Sequence, residues 1–113
     1  MLTLHTLGDL FVPFLMEQVY AERVAAHGAS HLLVQRATRD FGHCAFTPTA
    51  LITTFADLVN WVEAGTKPAG DDVLDAAAVA DPGFGCKFTD KESTRLWDNA
   101  GLGFLKPPAC SAP

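Results

Sequence analysis

Apolar and polar residues alternate over Leu2-Thr3-Leu4-His5-Thr6-Leu7, the period of a half-buried strand, and Gly8-Asp9 ends it in a turn. The period then changes. Pro13 suits the first turn of a helix, and from Phe14 to Ala26 the apolar sets Leu15/Val19 and Met16/Tyr20/Val24 recur at helical spacing. Glu17, Gln18 and Glu22 fall on the other side, and His27-Gly28 closes the helix because glycine takes the left-handed conformation freely. His31 to Arg36, with Leu32-Leu33-Val34 at its centre, reads as a second strand, and Ala37 to Phe46 as a loop. Thr47-Pro48 supplies a capping hydroxyl and a proline at the first helical position. Leu51, Phe55, Leu58 and Val62, with Ile52 and Val59 beside them, then predict an amphipathic helix to about Ala64, ended by Gly65 and Pro68. Strand, helix, strand, helix is half of a parallel α/β sheet.

Beyond Pro68 the pattern weakens. Asp71 to Ala80 fits a helical turn or two, and Cys86 to Thr89 a short extended piece. Asp90 to Pro113 reads as an irregular tail, either packed through Leu96, Trp97, Phe104 and Leu105 or disordered. No internal repeat or low-complexity tract is present.

The 113 residues suffice for one small domain, and 49% hydrophobic with 19% charged residues is a globular composition. A net charge of −5 with singly scattered basic residues argues against a nucleic-acid partner. No apolar run reaches the roughly 18 residues of a membrane span. Met1 to Leu15 is apolar but has neither a basic start nor a small-residue cleavage site, so no signal peptide is read there. The cysteines are Cys44, Cys86 and Cys110, an odd number without a CxxC pair, which argues against structural zinc. His27 and His31 are four apart, but Gly28 interrupts any helix between them, so exposed turn histidines are the better reading. Asp71, Asp72 and Asp75 lack a calcium-loop pattern and read as a solvated helix start. Phe46, Phe55 and Trp61 fit either an acyl pocket or, better, a core. No cofactor is implied.

Two polar residues sit where α/β sheets place function, just past the carboxyl ends of strands: Asp9 after the first, and His43 in the loop after the second. Parallel neighbours would open both loops on one rim, where an aspartate could fix an imidazole's tautomer and support its protonated form. Taken singly, a turn aspartate and a surface or core histidine remain alternative readings.

The surrounding residues resemble a known group. Leu-Thr-Leu-His-Thr-Leu-Gly-Asp-Leu-Phe-Val-Pro (Leu2 to Pro13), Tyr20-Ala-Glu-Arg-Val, Gly42-His-Cys-Ala-Phe-Thr-Pro48 and Trp61-Val-Glu-Ala-Gly-Thr-Lys-Pro68 look like the C-terminal part of a microbial esterase- or lipase-like serine α/β-hydrolase. Gly85-Cys-Lys-Phe-Thr89 is a fainter echo. The resemblance implies that Asp9 is the acid and His43 the general base of a triad cleaving small carboxylic esters. It also implies a partial α/β-hydrolase fold: two parallel strands with flanking helices over 1–68, and an irregular extension over 69–113. Cys44-Ala-Phe-Thr47 and Cys86-Lys-Phe-Thr89 repeat a local pattern, and the resemblance suggests a Cys44–Cys86 disulfide. That bridge would hold His43 in place and imply a secreted parent enzyme. Two free thiols are the alternative reading, with Cys110 free in either case.

In hydrolase order the nucleophile precedes the acid, yet only eight residues precede Asp9 and no G-x-S-x-G occurs. The serines are Ser30, Ser93 and Ser111, and Ser30 enters a strand instead of leaving one. The expected reading is therefore a hydrolase fragment, inactive alone. Its first strand would leave an open edge for an N-terminal half or for a second copy. The rival reading is a non-catalytic interaction module that pairs through this edge.

Overall fold

The computed structural model describes residues 1–91, 101 and 110. Its elements, in order, are strand β1 (Leu2–Gly8), helix α1 (Leu15–Ala26), strand β2 (Val34–Phe41), helix α2 (Pro48–Ala64) and a short helix α3 (Ala76–Ala80). Single 3-10 turns lie at Ser30–Leu32 and Cys86–Phe88. The two strands pair in parallel, from Leu2 opposite Val34 to Thr6 opposite Thr38. The expected small α/β arrangement of two parallel strands with helices is present.

Helix boundaries follow local chemistry. Gly28 turns left-handed at φ +69°, and the Gly28 and Ala29 amides close onto the Ala25 and Val24 carbonyls at the end of α1. Thr47 Oγ1 accepts the Ala50 amide at 3.1 Å, Pro48 opens α2, and Gly65 at φ +72° closes it.

The second strand departs from expectation. It begins at Val34, not His31, and runs through Ala37–Phe41, a stretch expected to be loop; His31 lies instead in the 3-10 turn. This polar segment, VQRATRDF, is the most buried part of the described chain. Its Gln35 and Arg36 side chains find partners only in the tertiary structure. Gln35 donates to the Glu17 carboxylate at 2.6 Å and to the Glu17 carbonyl at 2.8 Å. On the opposite face Arg36 donates to Asp57 at 2.6 Å and to the Ala69 carbonyl at 3.0 Å, and its guanidinium lies 4.4 Å from the Phe88 ring centre. The α1 face of the sheet thus carries Thr3 and Gln35, and the α2 face carries Arg36.

The helix faces are correspondingly rotated. Glu17 also accepts from Thr3 Oγ1 at 2.6 Å, and Gln18 donates to the Val73 carbonyl, so the expected polar side of α1 faces the protein while Leu15 and Met16 are exposed. On α2, Ala50 is buried and Asp57 reaches Arg36, whereas the expected core residues Leu51, Ile52, Phe55 and Val62 are exposed. Burying matched hydrogen bonds set these orientations in place of apolar periodicity.

Residues 69–90 run along the outer edge of β2 and cover it. The Asp71 amide donates to the Gln35 carbonyl, the Ala37 amide donates to Asp71 Oδ2, and the Arg39 amide donates to Thr89 Oγ1, all at 2.8 Å. Burial pushes the Asp71 carboxyl above its ordinary pKa, against the opposing pull of the Ala37 amide and of Lys87 and Arg36. Gly70 is required at the approach, because a Cβ there would lie 2.8 Å from the Gln35 carbonyl oxygen. Cys86, expected in an extended piece, begins the second 3-10 turn. It is bonded to Cys110, with Cα atoms 5.4 Å apart, and not to Cys44, which is free and exposed. This corrects the expected Cys44–Cys86 bridge. The repeated Cys-x-Phe-Thr pattern reflects sequence only, since the two cysteines lie in unlike backbone settings: Cys44 at φ +54° and Cys86 in a 3-10 turn. The tail positions Leu96, Trp97, Phe104 and Leu105 lie outside the described residues.

Candidate active site

The rim at the carboxyl ends of β1 and β2 is built from a strand irregularity and two clamps. Thr6 faces Thr38, but Gly8 faces Phe41, so β2 carries one extra residue and bends at the rim. The bend brings backbones together at Gly8, where a Cβ would lie 2.9 Å from the Asp40 carbonyl oxygen and 2.9 Å from Phe41 Cα. Only glycine fits. The Gly42 amide donates to the Gly8 carbonyl at 3.1 Å, and Thr6 Oγ1 donates to the Gly42 carbonyl at 2.7 Å. Gly42 itself is left-handed at φ +99°. These bonds fasten the loop after β2 to the turn after β1. Downstream, the Thr47 hydroxyl donates to Asp90 while capping α2, fixing the other end of that loop.

Held this way, His43 Nδ1 lies 2.7 Å from Asp9 Oδ2. The Asp9 side chain is 5% exposed and that of His43 47%. The other Asp9 oxygen, Oδ1, accepts the Phe11 amide at 2.8 Å and the Val12 amide at 2.9 Å, an Asx turn that locks the carboxylate rotamer. Burial raises the pKa of this carboxyl. The Val12 amide, His43 and the Phe11 amide outweigh it, and the pKa falls to about 2. At neutral pH the group is therefore an ionised acceptor. It directs a proton onto Nδ1 and leaves Nε2 of a half-exposed ring able to take a proton from a neighbouring hydroxyl. The two residues singled out from the sequence are thus in contact in the tertiary structure.

Other groups at the rim carried no distinct signal in the sequence. The Phe11 ring meets the imidazole edge-on, 5.9 Å between centres. His5, Cys44 and Phe46 share with Asp9 and His43 a small cleft of about 110 Å³. The His5 Nδ1–H donates to the Thr6 carbonyl at 2.9 Å, and its buried Nε2 has no hydrogen-bond partner. Of the suggested acyl-pocket residues, Phe46 reaches this cleft; Phe55 is exposed and Trp61 lies beside Lys67, 5.7 Å from ring centre to ammonium. His27 and His31 are exposed, and no cluster able to hold a metal ion occurs among the described residues. No described helix is long and apolar enough to cross a membrane.

Ser30, which lies among the described residues, does not complete the site. Ser30 precedes β2 and His43 follows it, so an eight-residue strand, about 26 Å long at about 3.3 Å per residue, separates the two. Ser93 and Ser111 lie outside the described residues. No protein-family model, curated protein or solved structure matches this chain.

Proposed function

We propose that the chain supplies the acid and base of a serine esterase, with Asp9 orienting His43 and the nucleophilic serine lying on polypeptide outside these 113 residues. One observation carries the reading: a shielded carboxylate, pinned by two backbone amides, holds Nδ1 of a half-exposed imidazole at 2.7 Å on the rim where parallel sheets place their chemistry. The resemblance of the Gly-Asp turn and the Gly-His-Cys loop to those of microbial ester hydrolases supports the same assignment. In such a site His43 takes the serine proton through Nε2 as the serine attacks an ester carbonyl, then returns a proton to the leaving alcohol. Without that serine, and without amides aimed at the developing oxyanion, this pair has no acyl transfer to assist.

The test is activity-based labelling. A tagged chain is recovered from its native extract and treated with a fluorophosphonate, which modifies a serine activated by a histidine base. A serine protein that co-purifies and is labelled at least about tenfold more slowly with the His43→Ala chain is expected, since a general base contributes about 10²–10⁴-fold. Labelling at equal rates, or the absence of any labelled partner, overturns the proposal. A second reading, an interaction module, is favoured by the outer edge of β1, to which no other described strand is paired.

A further inference from the structure

Thr6 is the last residue of β1 in regular register, opposite Thr38, before the irregularity that sets Gly8 opposite Phe41. Both threonines are buried, 1% and 0% exposed. Their hydroxyls differ. Thr38 Oγ1 has no hydrogen-bond partner, whereas Thr6 Oγ1 donates to the Gly42 carbonyl at 2.7 Å. That carbonyl shares a planar peptide group with the His43 nitrogen, so the bond fixes the plane from which the imidazole projects.

The backbone of Thr6 holds Asp9. Its carbonyl accepts the Asp9 amide at 3.3 Å, closing a four-residue turn, and accepts the His5 Nδ1–H at 2.9 Å. A single buried residue therefore bonds the backbone on both sides of the pair: Asp9 through its carbonyl, and the peptide before His43 through its hydroxyl. The pair needs such a tie. The imidazole is half-exposed, and its loop passes through left-handed backbone at Gly42 and at Cys44, φ +99° and +54°. A non-glycine residue stays left-handed only where its surroundings over-determine it. The Asp9 rotamer is already set by the Phe11 and Val12 amides, so the variable that remains is where His43 stands relative to it.

We infer that Thr6 is the positioning residue of this pair: its hydroxyl, acting through the Gly42 carbonyl, sets the 2.7 Å contact between His43 Nδ1 and Asp9. This role rests on the reading of Asp9 and His43 as acid and base, and adds to it the side chain that decides whether the two meet. Thr6 acts at one remove and touches no substrate. Without its hydroxyl the Gly42 carbonyl loses a donor, the peptide before His43 turns, and Nδ1 leaves the carboxylate. An imidazole without that acceptor takes the Nε2–H tautomer, whose Nε2 has no lone pair to receive a proton. The base is then lost although both of its residues are still present.

Long-range proton–nitrogen correlation spectra of the chain, labelled with nitrogen-15 at its four histidines, test this role. At mildly alkaline pH an ordinary imidazole is neutral, so its two nitrogens report the tautomer, and His43→Ala identifies the signals of His43. The wild-type chain is expected to hold His43 as Nδ1–H. Thr6→Val, of the same shape but without the hydroxyl, is expected to lose that signal to Nε2–H with an unchanged circular dichroism spectrum. Thr6→Ser keeps a hydroxyl and should restore it. Thr38→Val removes a buried hydroxyl that bonds to nothing, at the same level of the sheet, and should leave the signal as in wild type. A Thr6→Val chain that keeps Nδ1–H overturns the inference, as does a Thr38→Val chain that loses it equally. If Thr6→Val does not fold, Thr6→Ala takes its place in the comparison with Thr6→Ser, and failure of both to fold leaves Thr6 a role in stability alone and overturns the inference. Wild-type His43 in the Nε2–H form would instead remove the Asp9–His43 pair, and with it the acid–base reading, a result distinct from every Thr6 outcome.

Discussion

Replacing Asp57 by alanine tests the contact that holds α2 to the sheet. Arg36 is 3% exposed, and its guanidinium is satisfied by Asp57 at 2.6 Å, by the Ala69 carbonyl at 3.0 Å and by the Phe88 ring at 4.4 Å. Removing the carboxylate leaves a buried cation short of its counter-charge, a change that costs about 3–5 kcal/mol when the pair is fully enclosed. Here Asp57 is 39% exposed, so water reaches the vacated position, and the Ala69 and Phe88 contacts remain. Those two facts bring the expected loss down to about 2–3 kcal/mol, still a large share of the roughly 5–15 kcal/mol that holds a domain folded. Urea denaturation followed by circular dichroism is the assay. With a slope of about 1–3 kcal/mol per molar, the midpoint should fall by about 0.7–3 M at unchanged slope. The double variant Arg36→Met, Asp57→Leu removes both charges and should recover most of the loss, because the penalty lies in the unpaired cation. An Asp57→Ala chain within about 0.5 kcal/mol of wild type, the level of an ordinary surface substitution, would refute the reasoning.

Three further outcomes are expected. Asp9, with its pKa near 2 in the folded chain against an ordinary 3.8, contributes stability that is present above about pH 4 and is lost as the pH falls toward 2. Asp71, shifted upward, has the opposite slope: its contribution is full below 3.8 and is lost as the pH rises through its folded pKa. Stability–pH curves check both, since Asp9→Asn should remove part of the acid-side loss, and an unchanged curve refutes the assignment. Gly70→Ala places a Cβ 2.8 Å from the Gln35 carbonyl oxygen and 2.9 Å from Val34 Cγ1, and should cost about 1–3 kcal/mol in the same urea assay; no loss would show that the edge cover is not tight. Iodoacetamide without reductant should modify Cys44 alone, with Cys86 and Cys110 recovered as one linked peptide pair. Recovery of Cys44 linked to Cys86 would contradict the structure.

Local chemistry in the sequence determined the features that need no partner. The Thr47-Pro48 start and Gly65 stop of α2, the Gly28 stop of α1, and the turn after β1 each rest on backbone preferences within a few residues. Asp9 and His43 were legible for a related reason: they stand just beyond strands, and the parallel order of those strands follows from the helix between them. The tertiary structure decided what apolar periodicity could not. Strand β2 is polar yet buried because Glu17 and Asp57 arrive from helices 18 and 21 residues away, and no local pattern records that pairing. The same contacts turn the polar side of α1 inward and leave Phe55 and Val62 of α2 exposed. Which cysteine joins Cys86, and how Asp71 covers the sheet edge, likewise depend on where distant segments meet. A buried polar group must find its partner wherever the chain brings one, and that requirement acts through space, whereas capping and turn preferences act along the chain.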